Sequence, residues 1–288
     1  MNFFKKLFGA GDSVADEKPK DGSKDFDVLK YDGVRALRMG QAEYAAKCFG
    51  HALAIRDDLE CRDYLSQALL QLGDLAGAYA QLAVLAQSCP DNTAILLRMA
   101  DTAYMLEDYQ AMLGVCRKAV EIDGANPAAW FLYARASRGS GDIAAATGML
   151  DTALDLDDKF DAARLLRGQL YLERKMYAEA AADVQTLLGR TEGSEDVLLL
   201  KARVDEATGN VDEALDAYAR VIGLDPFCTE AFRGRGALRR SLGDEDGAAA
   251  DISTADELES NMQVPTERVE QKVKDTYRSI DPYGIFSN

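Results

Sequence analysis

His51 is the single histidine among 288 residues, and it sets the first limit on the chemistry open to this chain. A histidine-based triad and a histidine-bearing zinc centre both need imidazoles in company, and the residue supply speaks against them. Five cysteines (Cys48, Cys61, Cys89, Cys116 and Cys228) include no CxxC pair and show no metal-type spacing against His51. They read as buried free thiols of a protein kept in a reducing cytosol. The acidic run Asp151, Asp155, Asp157, Asp158 and Asp161 has the ligand type for calcium, but the central glycine and final glutamate of an EF-hand loop are missing. These acids read instead as solvation of a helix end and its connection. No GxGxxG, P-loop, GxSxG or HExxH stretch occurs, and nothing singles out one carboxylate pair for general acid and base work. The expectation is a protein without catalytic activity, cofactor or metal.

The elements that would position any site follow a 34-residue period. One small-residue column holds Gly33, Ser66, Ala100, Ala134, Gly168, Ala202 and Gly236. Twelve residues behind it run Ala45, Ala78, Met112, Ala146, Ala180, Ala214 and Ala248, followed by an apolar column from Phe49 to Ile252. Such a period marks stacked supersecondary units, each too small to bury its own apolar face. Each unit reads as helix, tight turn, helix. In the fourth, Pro127 opens the first helix, Trp130, Tyr133, Ala134 and Ser137 give the helical stripe, Gly141 supplies a left-handed cap, and Asp142 opens the second helix. Glu107 and Lys175 stand where the other units place glycine. Left-handed geometry there costs about 1 kcal/mol each.

The chain resembles the tetratricopeptide repeat family. Trp130-x-x-Tyr133-Ala134, and Ala214-x-x-x-Tyr218 with Pro226, carry the pattern, and the match spans residues 26–262 in seven units. The resemblance implies an all-α, right-handed solenoid whose first helices line a concave groove. It also makes Arg167 and Arg235, each followed by glycine, structural rather than functional. The family's carboxylate clamp is matched only by Lys30 and Arg98, so a chaperone-tail adaptor is not expected.

Net charge is −16, which repels nucleic acid and anionic lipid at long range. The charge is unevenly divided. In units four to seven the first helices and their turns carry 12 Lys or Arg against 7 Asp or Glu, whereas the second helices and connections carry 3 against 19. The family's groove positions select Arg135, Arg138, Arg203, Arg233 and Arg240, with Phe131, Leu165, Leu172 and Leu199 as apolar neighbours. In the N-terminal half they select Val34, Leu37, Leu70, Leu97, Tyr104 and Met105. One groove with an apolar half and a basic half is expected, suited to an acidic segment or a C-terminal carboxylate. The alternative is that these arginines pair internally with the acidic second helices.

Two end segments complete the layout. Residues 1–25 comprise a short amphipathic segment and a flexible linker. On a helix, Phe3, Phe4, Leu7 and Phe8 share one face and Lys5 and Lys6 lie toward the other, which suits docking on protein, in cis or on another copy, ahead of membrane contact. Residues 263–288 read as a capping helix bearing Val269, Val273, Tyr277 and Ile280, then an apolar tail. No secretory leader is read at the start, no run is apolar and long enough to span a bilayer, and a cytoplasmic location is expected. The function expected is a scaffold or adaptor binding a peptide or extended protein segment, with a self-assembling scaffold or a regulatory subunit of an enzyme complex as the alternative. Partners are protein or peptide, with homo-oligomers possible, no nucleic acid, and at most peripheral membrane contact.

Overall fold

The computed structural model of the chain describes residues 22–190 and 193–262. The amphipathic segment 1–9, most of the linker and the capping segment 263–288 lie outside them. Among the described residues the regular elements are fourteen α-helices and no strand. Two compact units divide the chain between Gly124 and Ala125. The first holds α1 (Gly22–Arg38), α2 (Ala42–Ile55), α3 (Leu59–Gln71), α4 (Leu75–Ser88), α5 (Thr93–Met105) and α6 (Tyr109–Ile122). The second holds α7 (Pro127–Gly139), α8 (Ile143–Leu156), α9 (Asp161–Glu173), α10 (Tyr177–Leu188), α11 (Glu195–Thr208), α12 (Val211–Leu224), α13 (Thr229–Ser241) and α14 (Glu245–Met262). In both units each odd-numbered helix packs on the even one that follows, and neighbouring pairs stack.

Local sequence explains where these helices start and stop. The side chains of Asp58, Asp74, Asn92, Asp108, Asn126 and Asp142 accept hydrogen bonds from backbone N–H groups at the starts of α3 to α8, satisfying donors the helix itself leaves open. Gln41 and Asn210, at the equivalent place in other repeats, make no such cap. The turns inside the repeats are left-handed as the sequence predicts: Gly141 has φ +85°, and Glu107 and Lys175 adopt the same region at +57° and +59°. One boundary differs from expectation. Helix α1 begins at Gly22, so residues 22–25, read as linker, form its first turn. Asp25 suits the positive helix start, and Phe26 is buried there under the Arg56 guanidinium, 3.7 Å from its ring centroid.

The small-residue columns are where the helices approach most closely. Every alanine in both columns is buried. A Cβ on Gly33 would stand 2.7 Å from the Phe49 ring, and one on Gly168 2.9 Å from Leu200. Phe49 in the first unit and Leu150 in the second are fully buried at the centres of apolar clusters that join one repeat to the next. Burial falls on one stripe of each helix, and the opposite faces carry the charges. Of the cysteines, Cys48, Cys61 and Cys116 are buried, whereas Cys89 and Cys228 are only half-buried, a departure from the expectation for all five. Both sit at connections between repeats, where packing is thinner.

Candidate functional site

The second unit contains two kinds of arginine. Arg167 on α9 grips Asp183 of α10 with two parallel bonds, Nε at 2.9 Å and Nη2 at 2.6 Å, and reaches Asp151 of α8 at 2.8 Å. Arg235 on α13 repeats the grip on Asp251 of α14 at 2.9 and 2.6 Å, with Arg239 adding a third bond at 2.9 Å. Asp183 and Asp251 each keep only 4 % of their side-chain exposure. A buried carboxylate is tolerable only when its lone pairs are met by charged donors, and the fork of a guanidinium meets two at once. Donating to the Asp183 carboxylate pushes the Arg167 guanidinium above its ordinary pKa. These arginines are structural, as the family resemblance implied.

The arginines proposed from the groove positions form the second kind. Arg203, Arg233 and Arg240 are exposed, while Arg135 and Arg138 are half-buried. Arg138 of α7 pairs with Glu173 of α9 at 2.6 Å, and Arg203 of α11 pairs with Glu230 of α13, so in each case one first helix is tied to the next. Arg233 instead reaches Asp256 and Glu259 of α14 at 2.7–2.9 Å, and Arg240 approaches Glu245 at 3.8 Å. These two lean toward the acidic second helix of their own repeat, following the internal-pairing alternative. Hydrogen bonding to Arg233 lowers the Glu259 pKa. The Arg135 guanidinium lies 5.7 Å from the Phe131 ring centroid, and Phe131 meets Phe160 at 5.0 Å. Leu165 on α9 and Leu199 on α11 are half-buried at the equivalent positions one and two repeats further on.

The first unit holds the remaining proposed residues. Tyr104 is exposed near the end of α5 and meets Tyr109 edge-on, with ring centroids 6.1 Å apart. Lys30 bridges Asp58 and Glu60 at 3.1 and 2.6 Å, and Arg98 joins Asp63 and the Ser66 hydroxyl, so both clamp-like cations hold neighbouring first helices together. One group of potential metal ligands occurs among the described residues: Glu195, Asp225 and Cys228, with ligand atoms within 4.8 Å of one another. Burial first, and the two carboxylates after it, push the Cys228 thiol up.

The pairing partners Glu173, Glu230, Asp183 and Asp251 were not singled out by the sequence reading. A signal for two of them was present: an arginine at the seventh position of a repeat is followed 16 residues later by aspartate in both Arg167–Asp183 and Arg235–Asp251. Glu173 and Glu230 had no such repeating spacing.

The tetratricopeptide repeat family model matches residues 131–195 and 199–260. Among solved structures, a tetratricopeptide repeat protein from Parabacteroides merdae is similar over 87% of this chain and 98% of its own, with a TM-score of 0.70 and 16% identity. Pseudomonas aeruginosa pilF is similar over 74% of this chain and 97% of its own (TM-score 0.58, 18% identity). YrrB, described as a TPR protein with an unusual peptide-binding site, is similar over 66% and 97% (TM-score 0.51, 15% identity). No curated protein matches the chain. No helix among the described residues is long and apolar enough to cross a membrane.

Proposed function

We propose that this chain, which matches the tetratricopeptide repeat model over residues 131–195 and 199–260, acts as a non-catalytic scaffold whose second unit binds an extended, acidic protein segment along its first helices. The observation that carries this reading is the contrast between the two kinds of arginine. Arg167 and Arg235 are committed to carboxylates that are 4 % exposed, whereas Arg138 and Arg203 hold partners that are themselves 44 % and 46 % exposed. An exposed pair contributes only about 0–1 kcal/mol. A ligand carboxylate can therefore replace Glu173 or Glu230 at little cost and keep the guanidinium paired.

Phe131, Leu165 and Leu199 supply apolar surface for the same segment, and Arg135 over Phe131 joins charge to an aromatic face. YrrB, similar in fold, is described as having a peptide-binding site, which supports a peptide as the ligand class. Charge separation between the helices steers such a ligand to the basic side of an acidic molecule.

The test is a panel of 12-residue peptides graded from acidic to basic, measured by fluorescence anisotropy on the full chain. Acidic peptides should bind, and the R138E/R203E double variant should lose them while keeping helix content and Tm. Binding that ignores peptide charge, or survives in the double variant, would place the ligand away from these arginines.

A further inference from the structure

The turn edge of the first unit carries an apolar row that the proposed peptide site does not use. Met39, Leu72 and Leu106 stand one per repeat, each just before the left-handed residue of its turn, and are 60 %, 46 % and 38 % exposed. Their equivalents in the next three repeats are Ser140, Arg174 and Thr208, with Leu242 in the last. Between the first two turns lies an open cleft of ≈570 Å³ lined by Gly40, Glu43, Tyr44, Lys47, Gln71 and Leu72. Neighbouring side chains of this row stand roughly 10 Å apart by the spacing of stacked helices, so the face of a two-turn helix, about 9 Å over six residues, can cover one adjacent pair, with Leu72 in either pair.

We infer that this edge is the docking site for the chain's own N-terminal segment, with Phe3, Phe4, Leu7 and Phe8 on the row and Lys5 and Lys6 toward its acids. Charge favours the match. Residues 1–11 contain two lysines and no acid, whereas the second and third turns present Asp74, Glu107 and Asp108 and no base; at the first turn Glu43 is already held by Lys47 at 2.7 Å. Reach permits it as well. Helix α1 runs from Gly22 to the first turn, roughly 25 Å at the helical rise. Residues 10–21 extend to about 40 Å at most. A tether of that length holds the segment at millimolar effective concentration, so a weak contact suffices. A bilayer is the poorer occupant, because two turns bury little and the molecule's −16 charge opposes an anionic surface.

Limited trypsin digestion of the full chain tests this, reading cleavage after Lys6 against cleavage after Lys20 as an internal control. The L72E/L106E variant alters exposed side chains only, and its circular dichroism should match the parent. Cleavage after Lys6 should be about fivefold slower in the parent than in the variant, the protection given by a segment docked roughly 80 % of the time. Cleavage after Lys20 should be the same in both. As a second reading, deleting residues 2–9 should raise hydrogen exchange at residues 39–44 and 72–75 and leave α7–α14 unchanged. Equal Lys6 cleavage in parent and variant overturns the assignment. So does protection that grows with protein concentration, which identifies a second copy as the occupant, or protection that appears only with phosphatidylglycerol vesicles, which identifies a membrane.

Discussion

The two arginine environments of the second unit make opposite demands on the carboxylates that face them. Removing Asp183 leaves Arg167 in a half-buried site without its fork partner, and Asp183→Ala should destabilise the second unit by about 3–5 kcal/mol. Glu230→Ala removes an exposed partner of Arg203 and should cost less than about 1 kcal/mol. Urea titration of both variants checks the contrast. Similar losses would mean that the two pairs are energetically alike. At the same scale, burial pushes the Cys61 thiol from 9.0 up to about 12. A raised acid pKa gives stability that is present below pH 9 and declines as pH rises toward 12. Cys61 should therefore resist alkylation at pH 8 in the native state, while the half-buried Cys89 reacts first, and Cys61→Ala should flatten the alkaline loss of stability. Mass spectrometry after iodoacetamide pulses reads the order directly.

At the scale of the element, the repeat is a helix pair whose turn requires one left-handed residue. Five repeats place glycine there, and two force Glu107 and Lys175 into that conformation. Glu107→Gly and Lys175→Gly should each stabilise by about 1 kcal/mol, since the side-chain clash with the backbone is removed at no cost in packing. The reverse change, Gly73→Ala at φ +77°, should destabilise by a similar amount, with open space around its Cβ. Thermal melts of the three variants separate this backbone effect from any loss of contact. Gly33 differs in kind. An added Cβ there would strike the Phe49 ring, so the helix pair itself must open.

Across the whole chain, acids outnumber bases by 16. With a net charge of −16, self-repulsion destabilises the compact state, and screening relieves it. Raising salt from about 0.05 to 0.5 M should therefore raise Tm while weakening capture of acidic peptides, two effects of opposite sign from one variable. Calorimetry and anisotropy on the same samples check both, and a fall in Tm would show that the exposed ion pairs outweigh the repulsion. Because each repeat contacts mainly its neighbours, the damage from Asp183→Ala should also stay local. Hydrogen exchange should quicken in α8–α11 while α1–α6 keep their protection.

The 34-residue period determined the helix pairs, their left-handed turns and the buried columns, because each depends on a residue's place within one repeat and on contacts that recur. Trp130, Gly141 and Asp142 could be assigned from the sequence for that reason. The same logic made Arg167 and Arg235 legible as structural. It could not choose partners for Arg138, Arg203, Arg233 and Arg240, since a long flexible guanidinium reaches carboxylates on either neighbouring helix. Only the tertiary structure sent Arg138 and Arg203 to adjacent first helices and drew Arg233 and Arg240 toward α14. It also extended α1 back to Gly22, where burial of Phe26 outweighs the polar composition of the residues before it. Periodicity records which face of a helix is buried. Which charges meet depends on distances between helices, and those are set by packing across the repeat.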